Sequence, residues 1–290
     1  MRFGLFAINY GTCADPDMAV RVARHAEAAG FESVWTGEHI VLPDPQPHGF
    51  MPPTLPFLDT VVALTLVATH TTTIRVGTGI IVLPLRNPAV LAKELASVDV
   101  VSGGRLIAGF GAGYLPAEFA ASGVPMGDRG ARMDEYLRAL KALWAMEHPR
   151  YQGRFVSIQD IDAQPRPVQR PYPTIVVGGE APAALRRAAT MANGWYGFAT
   201  TPAEAAGYIA ALRRLVQEHE RPSELGSLEL TVTPVGPLNR ATVDQYQQLG
   251  VDRLVLLPEP EAERGRRHTP VPVDRILHNI DTVAAEFLAG

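Results

Sequence analysis

Residues 74–113 read IRVGTGIIVLPLRNPAVLAKELASVDVVSGGRLIAGFGAG and show the clearest structural pattern of the chain. The first part of this stretch, Ile74–Leu83, is largely apolar, which predicts a strand that is covered on both faces. A helical pattern follows over Pro88–Val101, since proline is tolerated in the first helical turn. Gly103 accepts the left-handed conformation that ends a helix, and Arg105–Gly111 predicts the next strand. The stretch is therefore a strand–helix–strand unit of a parallel sheet.

The same alternation extends over the whole chain. The candidate strands are Arg2–Asn9, Ser33–Thr36, Ile74–Leu83, Arg105–Gly111, Thr174–Val177, Trp195–Ala199, Leu228–Pro234 and Arg253–Leu257. The candidate helices are Pro16–Ala29, Phe57–Thr69, Pro88–Val101, Arg129–Ala145, Pro182–Ala192, Pro202–Glu220, Thr242–Leu249 and Val273–Leu288. Eight strands that alternate with eight helices predict an α/β protein, a (β/α)8 TIM barrel in a single domain over residues 1–290. A doubly wound open sheet is the alternative.

Composition excludes several classes of protein. With 47% hydrophobic and 19% charged residues, the chain can bury a full core, which excludes general disorder. The net charge is −4 and the basic cluster is limited to Arg264, Arg266 and Arg267, which argues against nucleic acid or an anionic membrane as a partner. Cys13 is the single cysteine, so an internal disulfide is excluded. Without an apolar run of 18 residues or a charged leader, we expect a cytoplasmic protein.

Three connections are longer than strand-to-helix loops need to be. They span 39–57, with six prolines, 113–174 and 258–272, and each begins at the C-terminal end of a predicted strand. The active sites of TIM barrels are built from the loops at that end. We therefore expect these insertions to form binding loops at the C-terminal rim, with tolerated surface insertion as the alternative.

Two neighbouring residues at this rim carry the most useful chemistry. Glu38 and His39 directly follow the second predicted strand, and an imidazole can donate, accept or transfer a proton near neutral pH. A structural histidine is the alternative. Cys13 is predicted to be inert, and Glu118 is predicted to brace the fourth connection.

Glycines mark further candidate positions. Gly79 lies inside the third strand, where glycine indicates a bulge, a close approach by a ligand or tight packing. The turns at Gly111–Gly113 and Gly178–Gly179 expose backbone N–H groups beside a helix, which suits a phosphate. Neither turn has the spacing of the dinucleotide-binding motif, and neither a phosphate-loop lysine nor a metal-ligand spacing occurs. We therefore predict that the protein holds no metal.

Several motifs occur together in a fixed order along the chain. They are Trp35–His39, Ile74–Gly79, Arg86–Glu94, Ser97–Asp99, Ser102–Arg105, Gly111–Tyr114, Glu118-Phe119, Arg129–Glu135, Pro165–Pro173, Gly178-Gly179 and Asn193–Trp195. In this order they resemble the luciferase-like monooxygenase superfamily and, within it, the oxidoreductases that depend on the deazaflavin coenzyme F420. The resemblance is dense over residues 2–200 and looser beyond.

The resemblance implies a flavin-like ring at the C-terminal rim and a non-proline cis peptide at Gly79-Ile80. It implies His39 and Glu38 as catalytic residues. The cofactor-binding residues that it implies are Asn9, His39, Gly79, Ile80, Gly111, Gly113, Gly178, Gly179, Glu180 and Ala181. It also implies a small organic substrate and a homo-oligomer, most simply a dimer, with coenzyme F420 as the cofactor and FMN as the alternative.

The chain departs from the family pattern at three informative positions. Pro43 and Tyr114 stand where the sugar-phosphate dehydrogenases of this branch carry Trp and Glu, which disfavours a sugar-phosphate substrate. Ala112 stands where bacterial luciferases carry a phosphate-binding Arg, which disfavours FMN. The function expected is hydride exchange between F420 and an organic substrate. An FMN-dependent monooxygenase that uses reduced flavin and dioxygen is one alternative, and a non-catalytic flavin-binding protein is another.

Overall fold

The computed structural model describes residues 1–45, 51–236, 238–258 and 270–288. Its parallel strands close into a barrel that is surrounded by helices, which confirms the predicted (β/α)8 TIM-barrel fold. The long loops at 39–57 and 258–272 lie partly outside the described residues. The basic cluster of Arg264, Arg266 and Arg267 lies wholly outside them.

The elements follow the predicted alternation. The strands are β1 (Arg2–Leu5), β2 (Ser33–Thr36), β3 (Arg75–Thr78), β4 (Ile81–Val82), β5 (Leu106–Gly111), β6 (Tyr151–Gln152), β7 (Ser157–Ile158), β8 (Thr174–Gly178), β9 (Gly194–Thr200), β10 (Glu229–Pro234) and β11 (Arg253–Leu256). The helices are α1 (Pro16–Ala28), α2 (Thr60–His70), α3 (Pro88–Val101), α4 (Pro116–Ala121), α5 (Arg129–Ala145), α6 (Pro182–Met191), α7 (Pro202–Glu218), α8 (Arg240–Gln248) and α9 (Val273–Val283). β6 and β7 form an antiparallel hairpin of their own, outside the barrel.

The third barrel strand is interrupted. β3 pairs with both β2 and β5 and so closes the barrel, and β4 continues the pairing with β5. Val76 lies opposite Leu106, whereas Ile81 lies opposite Phe110, so five steps along one strand match four along the other. One extra residue is therefore inserted at Gly79-Ile80, as the predicted bulge requires.

Side-chain caps fix the residues at which helices α2 and α3 begin. Asp59 accepts the backbone N–H groups of Val61 and Val62. Because such a cap stabilises a helix by about 1 kcal/mol, α2 begins at Thr60 and not at the predicted Phe57. Asn87 caps α3 in the same way, one residue before the predicted Pro88.

Other boundaries were predicted less well. β1 ends at Leu5 and not at Asn9, because Ala7 takes a positive φ of 66° that breaks the strand. The connection 113–174 was expected to hold one helix, yet it also contains α4 and the hairpin. The last predicted helix, Val273–Leu288, is α-helical only to Val283 and ends as a π-helix.

Charged residues fill the N-terminal end of the barrel. Arg253, at the start of β11, is fully buried and hydrogen-bonds to Glu32, Glu229 and Thr231. Its guanidinium also lies 5.6 Å from the centre of the Trp35 ring. These side chains occupy the base of the barrel, so the opposite, C-terminal end is the one left for ligands.

The surroundings of Cys13 fit its predicted inertness. Cys13 is buried, and this burial raises the pKa of its thiol to about 12. The thiolate is the reactive form of cysteine, so Cys13 stays unreactive near neutral pH. Within the described ranges, none of the helices is both long and apolar enough to cross a membrane.

Candidate active site

A cavity of about 630 Å³ opens at the C-terminal end of the barrel. Phe6 reaches it from just after β1, Glu38 and His39 from just after β2, and Gly111 and Gly178 from the last residues of β5 and β8. All the predicted site residues except Asn9 line this cavity. Its volume lies in the range of cavities that bind cofactors and other small molecules.

Ile80 and glycines form one side of the cavity. The Gly79-Ile80 peptide is cis, as the resemblance implied. A Cβ atom at Gly178 would lie 2.9 Å from Cγ2 of Ile80, and one at Gly111 would overlap Cδ1. Glycine is needed at both positions because the Ile80 side chain fills the space. Tight packing therefore explains these two glycines, whereas Gly179 has a positive φ of 113°, which favours glycine directly.

Aromatic side chains also line the cavity. This aromatic wall consists of Phe6, Tyr10, Phe57, Tyr114 and Phe198. The ring centres lie 4.6 Å apart for Tyr10 and Phe57, 6.0 Å for Phe6 and Tyr10, and 5.2 Å for Phe6 and Phe198. These are favourable distances between aromatic rings. Phe6, Tyr10, Phe57 and Phe198 are therefore packed together before any ligand binds, and Tyr114 joins them through His39.

His39 lies between two members of the aromatic wall. Its ring meets Phe57 and Tyr114 edge-on, with ring centres 5.5 Å and 6.2 Å away, and its side chain is 11% exposed. Nδ1 lies 3.3 Å from Oε1 of Glu118, but no group in the described residues meets the angle of a hydrogen bond to it. Bonds between catalytic groups are often poorly aligned before a ligand binds. The arrangement suits an imidazole that exchanges a proton with a ligand in the cavity.

Glu118 is the residue whose role the sequence pattern understated. Its carboxyl group is buried on α4 and accepts the backbone N–H of Ile40 at 2.9 Å, which fits the predicted bracing role. A buried carboxylate needs a compensating partner, and Nδ1 of His39 lies 3.3 Å from it. The signal in the sequence is a glutamate at the start of a proline-opened helix, shortly after Gly113.

Glu38 is held by a cation that lies outside the cavity. Its carboxylate binds the guanidinium of Arg86 and accepts the N–H of Val82 at 2.6 Å. Burial raises the pKa of Glu38, and the charge of Arg86 opposes that shift. Burial alone would lower the pKa of Arg86, but Glu38 and Asp59 raise it above its usual value. Since both carboxylate oxygens are bonded, the geometry favours a positioning role for Glu38 over the predicted catalytic one.

Asn9 lies behind the cavity and does not line it. Its side-chain amide donates to the carbonyls of Gly37 and Leu58 and accepts the N–H of Gly37, each at 2.9 Å. All of these bonds are to the backbone of the loops on either side. The predicted cofactor contact of Asn9 is therefore replaced, in this structure, by a role in holding the loop that carries His39.

The turn from Gly178 to Ala181 leads into α6. Ala181 makes no side-chain cap, so the first N–H groups of that helix have no capping side chain. Oε1 of Glu180 accepts the backbone N–H of Phe198 at 3.4 Å. Neither Lys nor Arg occurs among the residues described as lining the cavity. In the described part of the chain, three or more His, Cys, Asp or Glu side chains nowhere converge as metal ligands would.

Sequence comparison finds relatives over most of the chain. The profile for luciferase-like monooxygenases matches residues 1–249. An uncharacterised protein of Mycobacterium tuberculosis is 33% identical over 208 residues, which cover 69% of this chain and 71% of that protein. The FMNH2-dependent dimethylsulfone monooxygenase of Pseudomonas putida is 37% identical over 113 residues, 38% of this chain and 31% of that enzyme.

Solved structures share the whole architecture. The monooxygenase RslO1 of Streptomyces bottropensis superposes with a TM-score of 0.79 at 22% identity, and 99% of each chain is covered. The coenzyme F420-dependent tetrahydromethanopterin reductase of Methanopyrus kandleri gives a TM-score of 0.77 at 16% identity, covering 99% of this chain and 98% of that one. At these identities the likeness is one of fold.

Proposed function

Because the chain belongs to the luciferase-like monooxygenase family, we propose that it is an oxidoreductase that exchanges hydride between coenzyme F420 and a small organic substrate. One observation carries the choice of cofactor. The described lining of the cavity includes the turn before α6, where the N–H of Gly179 already donates to Tyr196 and those of Glu180 and Ala181 are left for a ligand, but it includes neither Lys nor Arg. Such a lining suits a phosphodiester with one negative charge better than a terminal phosphate with two.

The residues present fit a deazaflavin ring. Ile80, with Gly79, Gly111 and Gly178 around it, gives an apolar surface for one face of the ring. The turn into α6 would hold the phosphodiester, and the rest of the tail would run over the open rim. When bound, the cofactor supplies the hydride chemistry, and the protein supplies binding, orientation and electrostatics.

The chain's own contribution to the reaction is proton transfer and positioning. His39 holds or moves a proton at a polar atom of the substrate, since it is the imidazole in the described lining of the cavity. Glu118 supports it from Nδ1. The Glu38 carboxylate binds the backbone N–H of Val82 in β4 and the guanidinium of Arg86. It thereby holds the loop after β2 against β4.

An FMN-dependent monooxygenase that uses reduced flavin and dioxygen is the second candidate. The sequence similarity to the FMNH2-dependent dimethylsulfone monooxygenase favours it. Against it stands Ala112, at the position where the resemblance places the phosphate-binding Arg of luciferases. A bidentate Arg is a strong partner for a dianionic phosphate, and Ala112 offers no such bond.

A fluorescence titration of both cofactors at one ionic strength tests the proposal. We expect F420 to bind at least about tenfold more tightly than FMN, a difference of about 1.4 kcal/mol. Ala112→Arg should strengthen FMN binding, whereas the matched neutral variant Ala112→Gln should not. Equal or tighter binding of FMN by the unaltered protein would favour the monooxygenase.

A further inference from the structure

Arg86 joins the two segments between which the 39–57 insertion emerges from the barrel. Its Nε lies 3.1 Å from Oε1 of Glu38, just before the insertion, and its Nη2 lies 2.8 Å from Oδ2 of Asp59, just after it. In the described part of the chain, these two carboxylates are the ones within ion-pair distance of Arg86. The side chain of Arg86 is 19% exposed, so its charge is largely shielded from water. Glu38, Arg86 and Asp59 together form the charged clamp.

Asn9 makes a neutral connection between the same two segments. Its amide bonds to the backbone of Gly37 and Leu58, each one residue before a carboxylate of the charged clamp. The backbone at the base of the insertion is thus held without Arg86. Loss of Arg86 should therefore loosen the insertion beyond its base without releasing it from the barrel.

The charged clamp reaches the cavity through the two ends of the insertion. Glu38 directly precedes His39, and Asp59 follows Phe57 by two residues. The rings of His39 and Phe57 line the cavity and meet edge-on, with centres 5.5 Å apart. Arg86 is absent from the described lining. It therefore binds the chain on both sides of this ring pair and makes no contact with a ligand itself.

We infer that Arg86 is a positioning residue for His39. It holds the carboxylates of Glu38 and Asp59 together and thereby fixes the imidazole against Phe57. A buried carboxylate that loses its cation is costly, so without the guanidinium the Glu38 side chain has to rearrange. The planar guanidinium can orient two carboxylates at once, which a lysine ammonium cannot. The inference rests on the proposed function, because it is there that His39 receives its role in proton transfer.

Chemical modification of His39 in the cofactor-free protein tests the clamp without turnover. Diethylpyrocarbonate acylates histidines at rates that follow their exposure, and mass spectrometry resolves His39 from the exposed His219 in the same sample. We expect His39 to react at least about tenfold faster in Arg86→Gln, because the loop that carries it opens more often. Arg86→Lys, which keeps the charge, should recover part of the protection. The rate at His219 should not change.

Asp59→Asn is the sharpest variant, because it separates the two roles of this side chain. Oδ1 of Asp59 caps α2, and Oδ2 binds Arg86. Asparagine caps a helix as well as aspartate does but replaces the second oxygen by an NH2 group, which cannot accept a bond from Arg86. We expect His39 to react about threefold faster in this variant, with a thermal midpoint close to that of the unaltered protein.

NMR gives a second measure of the position of His39. The neighbouring ring of Phe57 shifts the Hε1 resonance of His39, so this resonance should move in Arg86→Gln and Asp59→Asn. The control Arg214→Gln removes an exposed ion pair between Arg214 and Glu218 on α7. It should change neither this resonance nor the rate of modification.

The outcomes separate this inference from the proposed function. If His39 keeps its rate of modification and its resonance in folded Arg86→Gln and Asp59→Asn, the inference is wrong, and a lowered thermal midpoint alone would make Arg86 merely structural. If Arg86→Gln does not fold, Asp59→Asn decides. If His39 responds as expected while F420 fails to bind more tightly than FMN, the choice of cofactor is wrong and the clamp stands.

Discussion

At the scale of single residues, His39 is the group on which the proposed chemistry depends. Its side chain is largely buried but belongs to the rim and not to the core. His39→Ala should therefore leave the fold intact and lower turnover at least about 100-fold, the lower end of what general acid–base catalysis contributes. His70→Ala, at the exposed end of α2, is the control. A large fall in thermal midpoint with normal turnover would show a structural histidine instead.

Glu118 acts through His39 and is best tested as a positioning residue. Glu118→Gln keeps the size of the side chain but removes the charge that faces Nδ1, so we expect kcat to fall about tenfold while KM and cofactor affinity change little. Glu118→Asp, which keeps the charge, should recover part of the loss. The exposed Glu147→Gln serves as the control. Unchanged kcat with a lowered thermal midpoint would mean that the bond to Ile40 is the whole role of Glu118.

At the scale of elements, the interrupted third strand is the most consequential part of the barrel. A Cβ at Gly111 would overlap the Ile80 side chain, so Gly111→Ala should displace Ile80 into the cavity. We expect a loss of about 1–3 kcal/mol of stability from overpacking and weaker cofactor binding. The double variant Gly111→Ala, Ile80→Ala should lose less stability than the sum of the losses in the two single variants. Strict additivity in that cycle would contradict the packing argument.

Replacing a glycine by alanine should instead stabilise the protein where the added Cβ meets open space. Gly207 lies in α7, and a Cβ added there would meet no atom within 4 Å. Gly207→Ala should raise the free energy of unfolding by about 0.5–1 kcal/mol, because it restricts the unfolded chain without any clash. Chemical denaturation measures this change, and a less stable variant would contradict the expectation.

The elements also show how far sequence reasoning extends here. Proline and glycine at helix ends are local signals, so the barrel strands and their helices were predicted with small errors in their boundaries. The bracing role of Glu118 was predicted, but its approach to His39 was not, because α4 has only six residues and the two side chains lie far apart in the sequence. The glycines beside Ile80 were predicted at the rim, where the structure has them. Whether packing or ligand contact requires glycine there could be decided only from the position of the Ile80 side chain.

At the scale of the whole molecule, the charged base of the barrel predicts sensitivity to acid. Burial alone would raise the pKa of Glu32 and Glu229, but Arg253 outweighs this and holds both pKa values below their usual range. Their contribution to stability is thus complete above the ordinary pKa of about 4.3 and is lost as the pH falls through the lower folded-state values. The thermal midpoint of the unaltered protein should fall steeply below that pH, and that of Glu32→Gln should fall less steeply. The control Glu218→Gln should show the same pH dependence as the unaltered protein.

The expected homodimer remains a prediction, and the outer faces of two neighbouring helices show where to test it. Val62 on α2 and Val90 on α3 are 61% and 55% exposed. If these side chains belong to one contiguous apolar patch, that patch is where a second copy would pack. Sedimentation velocity should show a dimer that the double variant Val62→Glu, Val90→Glu dissociates. Val168→Glu, equally exposed elsewhere, is the control, and a monomeric unaltered protein would contradict the prediction.

The closed base of the barrel has a consequence for the order of events. Arg253 and its partners fill the N-terminal end, so ligands enter and leave by the same opening. Under the proposed function, the cofactor and the substrate would share that opening, so the ligand bound nearer to it would enter last and leave first. Turnover would then follow a compulsory order, in which an excess of the outer ligand slows the release of the inner one.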